Sequence, residues 1–248
     1  MWPRARFHVT LATMRLALPR NDIRQYDDLA DQWWRAGGAF AMLGWIAAAR
    51  AALIPPAARS GAVLVDLACG GGLLAPHAAG LGYRHVGLDR TVSALRVAHR
   101  YSVVPVRADV AAVPLRDACA DAVSAGEILE HVPDPSIVVS EACRVLRPGG
   151  TVVFDTINAT AVARFVTVTL GERISGLAPK GIHDPSLFVR PEVIVNECAR
   201  HGVRINVRGI RPAVGGLARW LVTRRGDVKL VPTSSPAVLY QAWGVKEG

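Results

Sequence analysis

Two carboxylates and an imidazole stand close together in the stretch 121–135. Glu127, Glu130 and His131 occupy positions i, i+3 and i+4, so a helical turn would place all three on one face. This donor set suits a divalent metal such as Mg²⁺, with positions left open for substrate oxygens. Alternatively, His131 suits a general base acting on a hydroxyl, because imidazole titrates near working pH. A third interpretation is that the motif only shapes a loop after a strand.

A glycine-rich turn supplies the second group of candidate residues. The apolar run 63–65 predicts a buried parallel strand that ends at Asp66, and the glycines at 70–72 let the following turn approach a ligand closely. About twenty residues further on, a second short strand ends at Asp89, where an acid suits the hydroxyls of a ribose. Glycines alone fit any tight strand-to-helix turn. The turn and the spaced acid together predict a nucleoside-cofactor site.

Strand-like and helix-like segments alternate from residue 63 onwards. Strands are predicted near 63–67, 84–88, 102–107, 120–124, 150–157, 203–210 and 236–244, and helices near 73–81, 91–100, 135–147 and 190–201. The alternation predicts an α/β, Rossmann-like fold with a doubly wound, seven-stranded, mostly parallel sheet. Ligands in such sheets bind at the carboxyl ends of the strands. The acids that follow strand-like runs are therefore expected at one edge: Asp66, Asp89, Asp109 and Glu127.

The composition limits the class of protein. A chain of 248 residues with 51% hydrophobic content can bury the core of one domain. The net charge of +9 suits nucleic acid, anionic lipid or simply an arginine-rich surface. Few aromatic residues interleave with the basic ones, so no nucleic-acid groove is predicted. The 4 cysteines are scattered, which is typical of reduced thiols in a cytoplasmic protein.

The region before the first strand divides into two parts. Residues 1–20 hold arginines and no acid, and we expect a disordered extension there, with Met14 as an alternative start. Residues 21–57 predict a helical lid, with helices over 22–35 and 39–53. The tryptophans of this lid would pack it onto the core and cover a flat substrate. The remainder, 58–248, forms the main domain.

Several motifs carry a resemblance to known proteins. The pattern at 66–72 resembles the first motif of class I S-adenosylmethionine-dependent methyltransferases, with Ala68 in place of the usual first glycine. Trp-Trp at 33–34, Glu-Ile-Leu-Glu-His-Val-Pro-Asp-Pro at 127–135 and Pro-Lys-Gly-Ile-His-Asp at 179–184 are similar to a narrower family. That family is the 3-demethylubiquinone-type O-methyltransferases of ubiquinone biosynthesis.

The resemblance implies S-adenosylmethionine as cofactor and a phenol or catechol hydroxyl, on a prenylated quinone precursor, as methyl acceptor. It also implies Mg²⁺ binding by Glu127, Glu130 and His131. The cofactor-binding positions that it implies are Arg50, Asp66, Ala68, Gly70, Gly72, Asp89, Asp109 and Gly126. For Asp109, a contact with the adenine amino group and an N-cap of the following turn are equally compatible with the residue type.

Residues 158–185 form an insertion after the fifth strand. Apolar residues recur there at helical spacing, beside Arg164, Arg173 and Lys180. Such a helix can pack on the core, or it can lie in a membrane interface and admit a lipid substrate. The family's membrane-touching lid at this place favours the second interpretation, and each basic residue near an anionic leaflet adds about 1 kcal/mol. We therefore expect a cytoplasmic protein peripheral to the inner face of the membrane.

The chain departs from the family in the lid. Arg35 replaces the acid that normally follows the two tryptophans, and residues 43–47 replace a His-x-x-Asn-Pro-like stretch. These changes affect the identity of the acceptor more than the chemistry. The alternatives are a methyltransferase for another soluble small molecule and a catalytically silent cofactor-binding scaffold.

Overall fold

The structure of the chain is a computed structural model that covers residues 18–174 and 177–248. Most of the predicted extension at 1–20, together with the alternative start at Met14, lies outside the described residues. Within the described part of the chain, no helix is long and apolar enough to cross a membrane.

The α/β prediction is confirmed, but the sheet formed by the described residues has eight strands where seven were predicted. The strands are Val63–Leu67 (β1), Arg84–Asp89 (β2), Val104–Arg107 (β3), Ala120–Gly126 (β4), Leu146–Ile157 (β5), Val203–Pro212 (β6), Leu230–Thr233 (β7) and Leu239–Lys246 (β8). Their order is β3-β2-β1-β4-β5-β8-β6-β7. The first five are parallel, and β8 runs antiparallel to both β5 and β6.

The strand that sequence reasoning missed is β7. It pairs with β6 alone, antiparallel, and forms the edge of the sheet. It is only 4 residues long and contains Pro232. Because proline has no N–H to donate, it is tolerated in a sheet only at such an edge, and its presence argued against a strand in the sequence.

Helices and short turns connect the strands. The α-helices are Arg24–Asp28 (α1), Ala41–Ala51 (α2), Ala75–Ala78 (α3), Val92–His99 (α4), Pro135–Val145 (α5), Ala161–Arg164 (α6), Pro191–Arg200 (α7) and Val214–Thr223 (α8). The 3-10 turns are Ala30–Gln32, Ala79–Leu81, Leu129–His131, Gly171–Arg173 and Pro185–Leu187, and a π-helical turn spans Phe165–Leu170. Helix α5 begins after Asp134, whose carboxylate caps the Ser136 N–H at 3.0 Å.

The predicted arm helix over 22–35 is wrong in extent. The structure contains only α1, followed by the 3-10 turn Ala30–Gln32. The aromatic rings of Tyr26, Trp33 and Phe40 stack on one another, with 4.1 Å between the Trp33 and Phe40 centroids. This stacking sets the path of the chain in place of a continuous helix.

The helix predicted in the insertion is also broken. Helix α6 ends at Arg164 and continues as the π-helical turn and then a 3-10 turn. Val162, Val166 and Leu170 are exposed, whereas Leu177 packs against the buried apolar cluster that contains Trp45 and Trp220. The apolar stripe is therefore divided between the surface and the core.

Candidate active site

A cavity of about 570 Å³ lies at the carboxyl ends of the parallel strands, beside the point where the strand order reverses at β1 and β4. The N-terminal arm, the insertion and the junction between β6 and α8 complete its walls. The predicted site residues that line it are Arg50, Ala68, Gly70, Asp89, Asp109, Gly126, Glu127 and His131. The structure places Asp66, Gly72 and Glu130 behind this lining.

The glycine turn follows β1 and supports the floor of the cavity. Ala68 adopts φ +55°, a left-handed conformation that costs an alanine about 1–2 kcal/mol. Gly70 has φ +51°, and a Cβ at this position would overlap the Trp33 indole. Gly72 has φ +80° and packs closely on Ala98 of α4. Glycine is therefore needed at 70 for the ring above it and at 72 for the helix behind it.

The two tryptophans of the arm seat it on this turn. The Trp33 ring lies against Gly70 and Gly71, and a Cβ at either glycine would meet it. The Trp34 Nε1 donates a hydrogen bond to the Gly71 carbonyl at 2.9 Å, and its ring stacks on Tyr101 with 3.8 Å between centroids. The Trp-Trp motif thus fixes the arm to the cofactor turn, and Trp33 closes one side of the cavity.

Asp89 lies at the end of β2 and links the two parts of the predicted cofactor site. Its carboxylate accepts from the Gly70 N–H at 3.0 Å and from the Thr91 N–H at 2.7 Å. Burial raises the pKa of Asp89, although these two hydrogen bonds oppose the shift. A carboxylate has more acceptor sites than the backbone uses here, so ribose hydroxyls could still donate to it.

Asp66 and Asp109 occupy different environments. Asp66 is 2% exposed and its Oδ2 lies 3.3 Å from His85 Nε2 on the neighbouring strand. Asp109 is exposed at the cavity rim, where its Oδ1 accepts from the Ala111 N–H at 2.9 Å. This turn-capping role is confirmed for Asp109. Its contact with an adenine amino group stays a prediction.

Arg50 reaches from α2 to the strand ends. Its Nη1 donates to Asp155 Oδ1 at 2.6 Å, and the guanidinium lies where a Cβ of residue 126 would be. Gly126 is therefore required for this approach. Burial opposes the charge of Arg50, but Asp155, Asp66 and Glu127 outweigh it and raise the pKa of the guanidinium.

The carboxyls around Arg50 exceed the positive charge available to them. Burial raises the pKa of Asp155 to about 7, although Arg50 acts in the opposite direction. Burial raises the pKa of Glu127 well above its ordinary range, and the charges of Glu130 and Asp155 add to the shift. The geometry of the 2.6 Å pair indicates that Arg50 neutralises Asp155. Arg50 also lowers the pKa of Glu127, but burial and the neighbouring carboxyls outweigh it.

Glu127, Glu130 and His131 do not share a helical face as predicted. Glu127 has φ +51°, and the next residues form the 3-10 turn Leu129–His131. Glu130 is fully buried and its Oε2 accepts from the Thr156 hydroxyl at 2.6 Å. Glu127 and Glu130 are buried side by side and share a side-chain hydrogen bond, and burial and this hydrogen bond both raise the pKa of Glu127. In 18–174 and 177–248, no three His, Cys, Asp or Glu side chains form a group that could hold a metal.

His131 points towards the arm. Its Nδ1 lies 2.6 Å from Asn21 Oδ1, and its Nε2 lies 3.4 Å from the Tyr26 hydroxyl. The ring stacks on His183 of the insertion with 5.8 Å between centroids. Burial lowers the pKa of His131 to about 3, and the charge of His183 acts in the same direction. The imidazole is therefore neutral at physiological pH.

Sequence reasoning missed the partners of these groups. Asp155 and Thr156 lie within a buried strand and have no motif of their own. Asn21 and Tyr26 precede the site by about a hundred residues, a separation across which no periodicity applies. His183 belongs to the motif at 179–184, which was noted for its resemblance, not for a role in the site.

Comparisons with known proteins agree with this architecture. A family model described as a methyltransferase domain matches residues 65–154. The chain is 34% identical over 189 residues to the ubiquinone biosynthesis O-methyltransferase of Proteus mirabilis, covering 71% of this chain and 76% of that protein. It is 32% identical over 199 residues to the protein of the same name from Burkholderia pseudomallei, covering 77% of this chain and 86% of the relative.

Solved structures share the fold. An S-adenosylmethionine-dependent methyltransferase of Thermotoga maritima, a possible histamine N-methyltransferase, has a TM-score of 0.64 at 15% identity, over 90% of this chain and 97% of that one. Phosphoethanolamine N-methyltransferase 2 of Haemonchus contortus, bound to S-adenosyl-L-methionine, has a TM-score of 0.58 at 16% identity, over 90% and 60% of the two chains. At such identities, the likeness shows the fold alone.

Proposed function

The chain belongs to the ubiquinone biosynthesis O-methyltransferases, which makes it an S-adenosylmethionine-dependent O-methyltransferase, and we propose that it methylates a phenol or catechol hydroxyl of a prenylated quinone precursor. One observation carries this proposal. A single cavity extends from the glycine turn and Asp89 to an apolar chamber, so it has room for a cofactor and an acceptor side by side.

The residues of the cofactor end fit S-adenosylmethionine. The turn at Ala68 and Gly70 presents backbone with little side chain, and Asp89 offers acceptors for a ribose. Asp109 and Gly126 line the same end of the cavity. When bound, S-adenosylmethionine supplies an electrophilic methyl group on a sulfonium. The excess of buried carboxyls near Arg50 favours a cationic ligand of this kind.

The acceptor end of the cavity is apolar with a polar margin. Its apolar walls include Met42, Ile46, Ile157, Ile210, Leu217 and Leu239. Tyr26, His131 and His183 stand at the margin that faces Glu127. A phenolic ring with a prenyl chain would place its hydroxyl at the polar margin and its chain among the aliphatic residues.

The chain's own residues contribute to the rate mainly by aligning the two reactants and by excluding water from the site. The arm, seated by Trp33 and Trp34, covers the cofactor end, and Glu172 ties the insertion to the arm by accepting from both terminal nitrogens of Arg20. Alignment of two reactants in a closed site is worth several kcal/mol of the barrier. The unprotonated nitrogen of His131 is the base nearest to the acceptor end, although the burial that lowers its pKa to about 3 makes it a weak base.

Metal assistance is a narrower part of the proposal. Glu127 and Glu130 are neighbouring buried carboxyls, and hard cations prefer carboxylate oxygens, so a cation could replace the hydrogen bond that the two side chains share. His131 Nε2 would have to leave the Tyr26 hydroxyl to become a third ligand. A bound Mg²⁺ would lower the pKa of the acceptor hydroxyl. Proton removal by His131 alone needs no cation, and the two routes predict different responses to a chelator.

The first experiment measures methyl transfer from labelled S-adenosylmethionine to a short-chain prenylated catechol, with and without EDTA. We expect transfer that EDTA abolishes and Mg²⁺ restores, with cofactor affinity unchanged in calorimetry. Transfer that is insensitive to EDTA assigns proton removal to His131 alone. Preference for unprenylated catechols supports a soluble acceptor, and cofactor binding without transfer to any phenol supports the silent scaffold.

Contact with an anionic membrane is a further part of the proposal. Val162, Phe165, Val166 and Leu170 of the insertion are 55%, 54%, 38% and 45% exposed, and Arg164 lies among them. The same insertion lines the acceptor end of the cavity through Val166 and Leu177. An apolar, basic segment at this place would let a lipid acceptor pass from an interface into the cavity.

Vesicle flotation tests this contact. We expect the protein to float with phosphatidylglycerol vesicles and not with phosphatidylcholine vesicles, because Arg164 and its neighbours favour anionic lipid. The double variant Val162→Ser/Phe165→Ser should stay at the bottom of the gradient. Ile137→Ser is the matched control, since Ile137 is 45% exposed on α5, outside the insertion. Equal flotation of both variants would show that the insertion does not bind the membrane.

A further inference from the structure

Residues 18–26, which include the start of α1, lie beside the cavity, and we call them the N-terminal strap. The Asn21 N–H donates to the Gly181 carbonyl at 3.0 Å, and the Gln25 side chain donates to the same carbonyl at 3.2 Å. Arg20 donates to Glu172 at 3.0 Å and to the His183 carbonyl at 2.6 Å. The strap is therefore attached to the insertion on one side of the cavity.

Asn21 joins this strap to the polar margin of the site. Its Oδ1 lies 2.6 Å from His131 Nδ1, and its Nδ2 donates to the His131 backbone carbonyl at 3.0 Å. Asn21 holds φ +59°, a conformation that asparagine adopts more readily than most residues. One amide thus contacts both the ring and the main chain of the same histidine.

These two contacts fix which histidine nitrogen carries the proton. A backbone carbonyl can only accept, so the NH₂ of Asn21 must face the His131 carbonyl. The amide oxygen then faces Nδ1, and because that oxygen can only accept, Nδ1 must be the protonated nitrogen. The neutral ring therefore has its lone pair on Nε2, where the Tyr26 hydroxyl lies 3.4 Å away.

We propose that Asn21 is a positioning residue, which holds His131 with Nδ1 protonated and with the Nε2 lone pair available at the cavity. The inference rests on the proposed role of His131 in methyl transfer. The same orientation serves either route, since Nε2 accepts a proton directly or ligates a cation.

Two variants separate the side-chain contacts from the backbone. Asn21→Gly removes both amide hydrogen bonds while accepting φ +59° at no steric cost. Asn21→Asp keeps an oxygen that accepts from Nδ1–H. We expect Asn21→Gly to lower kcat by about 10- to 100-fold with unchanged affinity for S-adenosylmethionine, and Asn21→Asp to recover most of the loss. Gln25→Ala is the matched control, because Gln25 bonds Gly181 and Pro19 but does not touch His131.

The tautomer is read directly by nitrogen NMR of the protein labelled at histidine, with His131→Gln used for assignment. Nδ1 should give a protonated signal and Nε2 an unprotonated one in the wild type and in Asn21→Asp, and a mixture in Asn21→Gly. A protonated Nε2 in the wild type would overturn the proposal. The proposal would also be overturned if Asn21→Gly kept the wild-type tautomer and lost no more kcat than Gln25→Ala. The spectra need no methyl acceptor, so they test the role of Asn21 independently of the proposed function. The proposed function itself fails only when no phenol is methylated.

Discussion

Replacing Arg50 by methionine is expected to lower the free energy of unfolding by about 3–5 kcal/mol. Arg50 is 7% exposed and its Nη1 lies 2.6 Å from Asp155, which is fully buried. Methionine fills similar space but leaves Asp155 beside Glu127 with no cation between them. Asp155 must then either stay charged without a partner or take up a proton, and both cost stability relative to the ion pair. Urea unfolding at neutral pH measures the cost.

A surface pair and a double variant provide the controls. Arg59 also pairs with an aspartate, Asp121 at 2.7 Å, but its side chain is 54% exposed and Arg147 holds the same carboxylate. Arg59→Met should therefore cost at most about 1 kcal/mol. Arg50→Met/Asp155→Leu should recover much of the loss, because no charge of the pair remains. Equal costs for Arg50→Met and Arg59→Met would show that the buried pair is not what stabilises the strand ends.

The central part of the fold could be predicted because its signals are local. The apolar run at 63–65 marks a strand that is covered on both faces, and the glycine turn marks where this strand ends. The edge strand β7 has no such signal, since its pairing with β6 depends on the rest of the sheet. The helix predicted over 22–35 in the arm was wrong for a related reason, because stacking of Trp33 on Phe40 overrides helix propensity.

The cofactor end of the site could be predicted from the topology of the sheet, whereas the acceptor end could not. Acids after parallel strands must meet at one edge, and Asp89 and Asp109 indeed both line the cavity. The Glu-x-x-Glu-His spacing was interpreted as an α-helical turn. The left-handed Glu127 and the 3-10 turn after it direct Glu130 towards Thr156 and His131 towards Asn21. Such backbone choices depend on distant contacts that spacing does not encode.

The largest effect on turnover is expected from Glu127→Gln. Glu127 is the carboxyl of the motif that lines the cavity, next to Gly126 and opposite the polar margin of the acceptor end. The amide keeps the shape but cannot ionise, so it can neither exchange a proton nor hold a cation well. We expect kcat to fall about 100- to 10,000-fold while S-adenosylmethionine still binds, as measured by single-turnover transfer and calorimetry. Glu192→Gln, exposed on α7, is the matched control and should leave kcat unchanged.

The same variant should change how stability depends on pH. Burial, and then the charges of Glu130 and Asp155, raise the pKa of Glu127 above 4.5, while Arg50 acts in the opposite direction. The folded protein thus binds this proton more tightly than the unfolded chain, and the resulting stability is complete below pH 4.5 and is lost as pH rises through the folded pKa. Glu127→Gln lacks that loss, so in EDTA it should become increasingly more stable than the wild type above pH 4.5. Parallel stability curves would mean that Glu127 is ionised in the folded protein, and loss of cofactor affinity would make it a cofactor ligand instead.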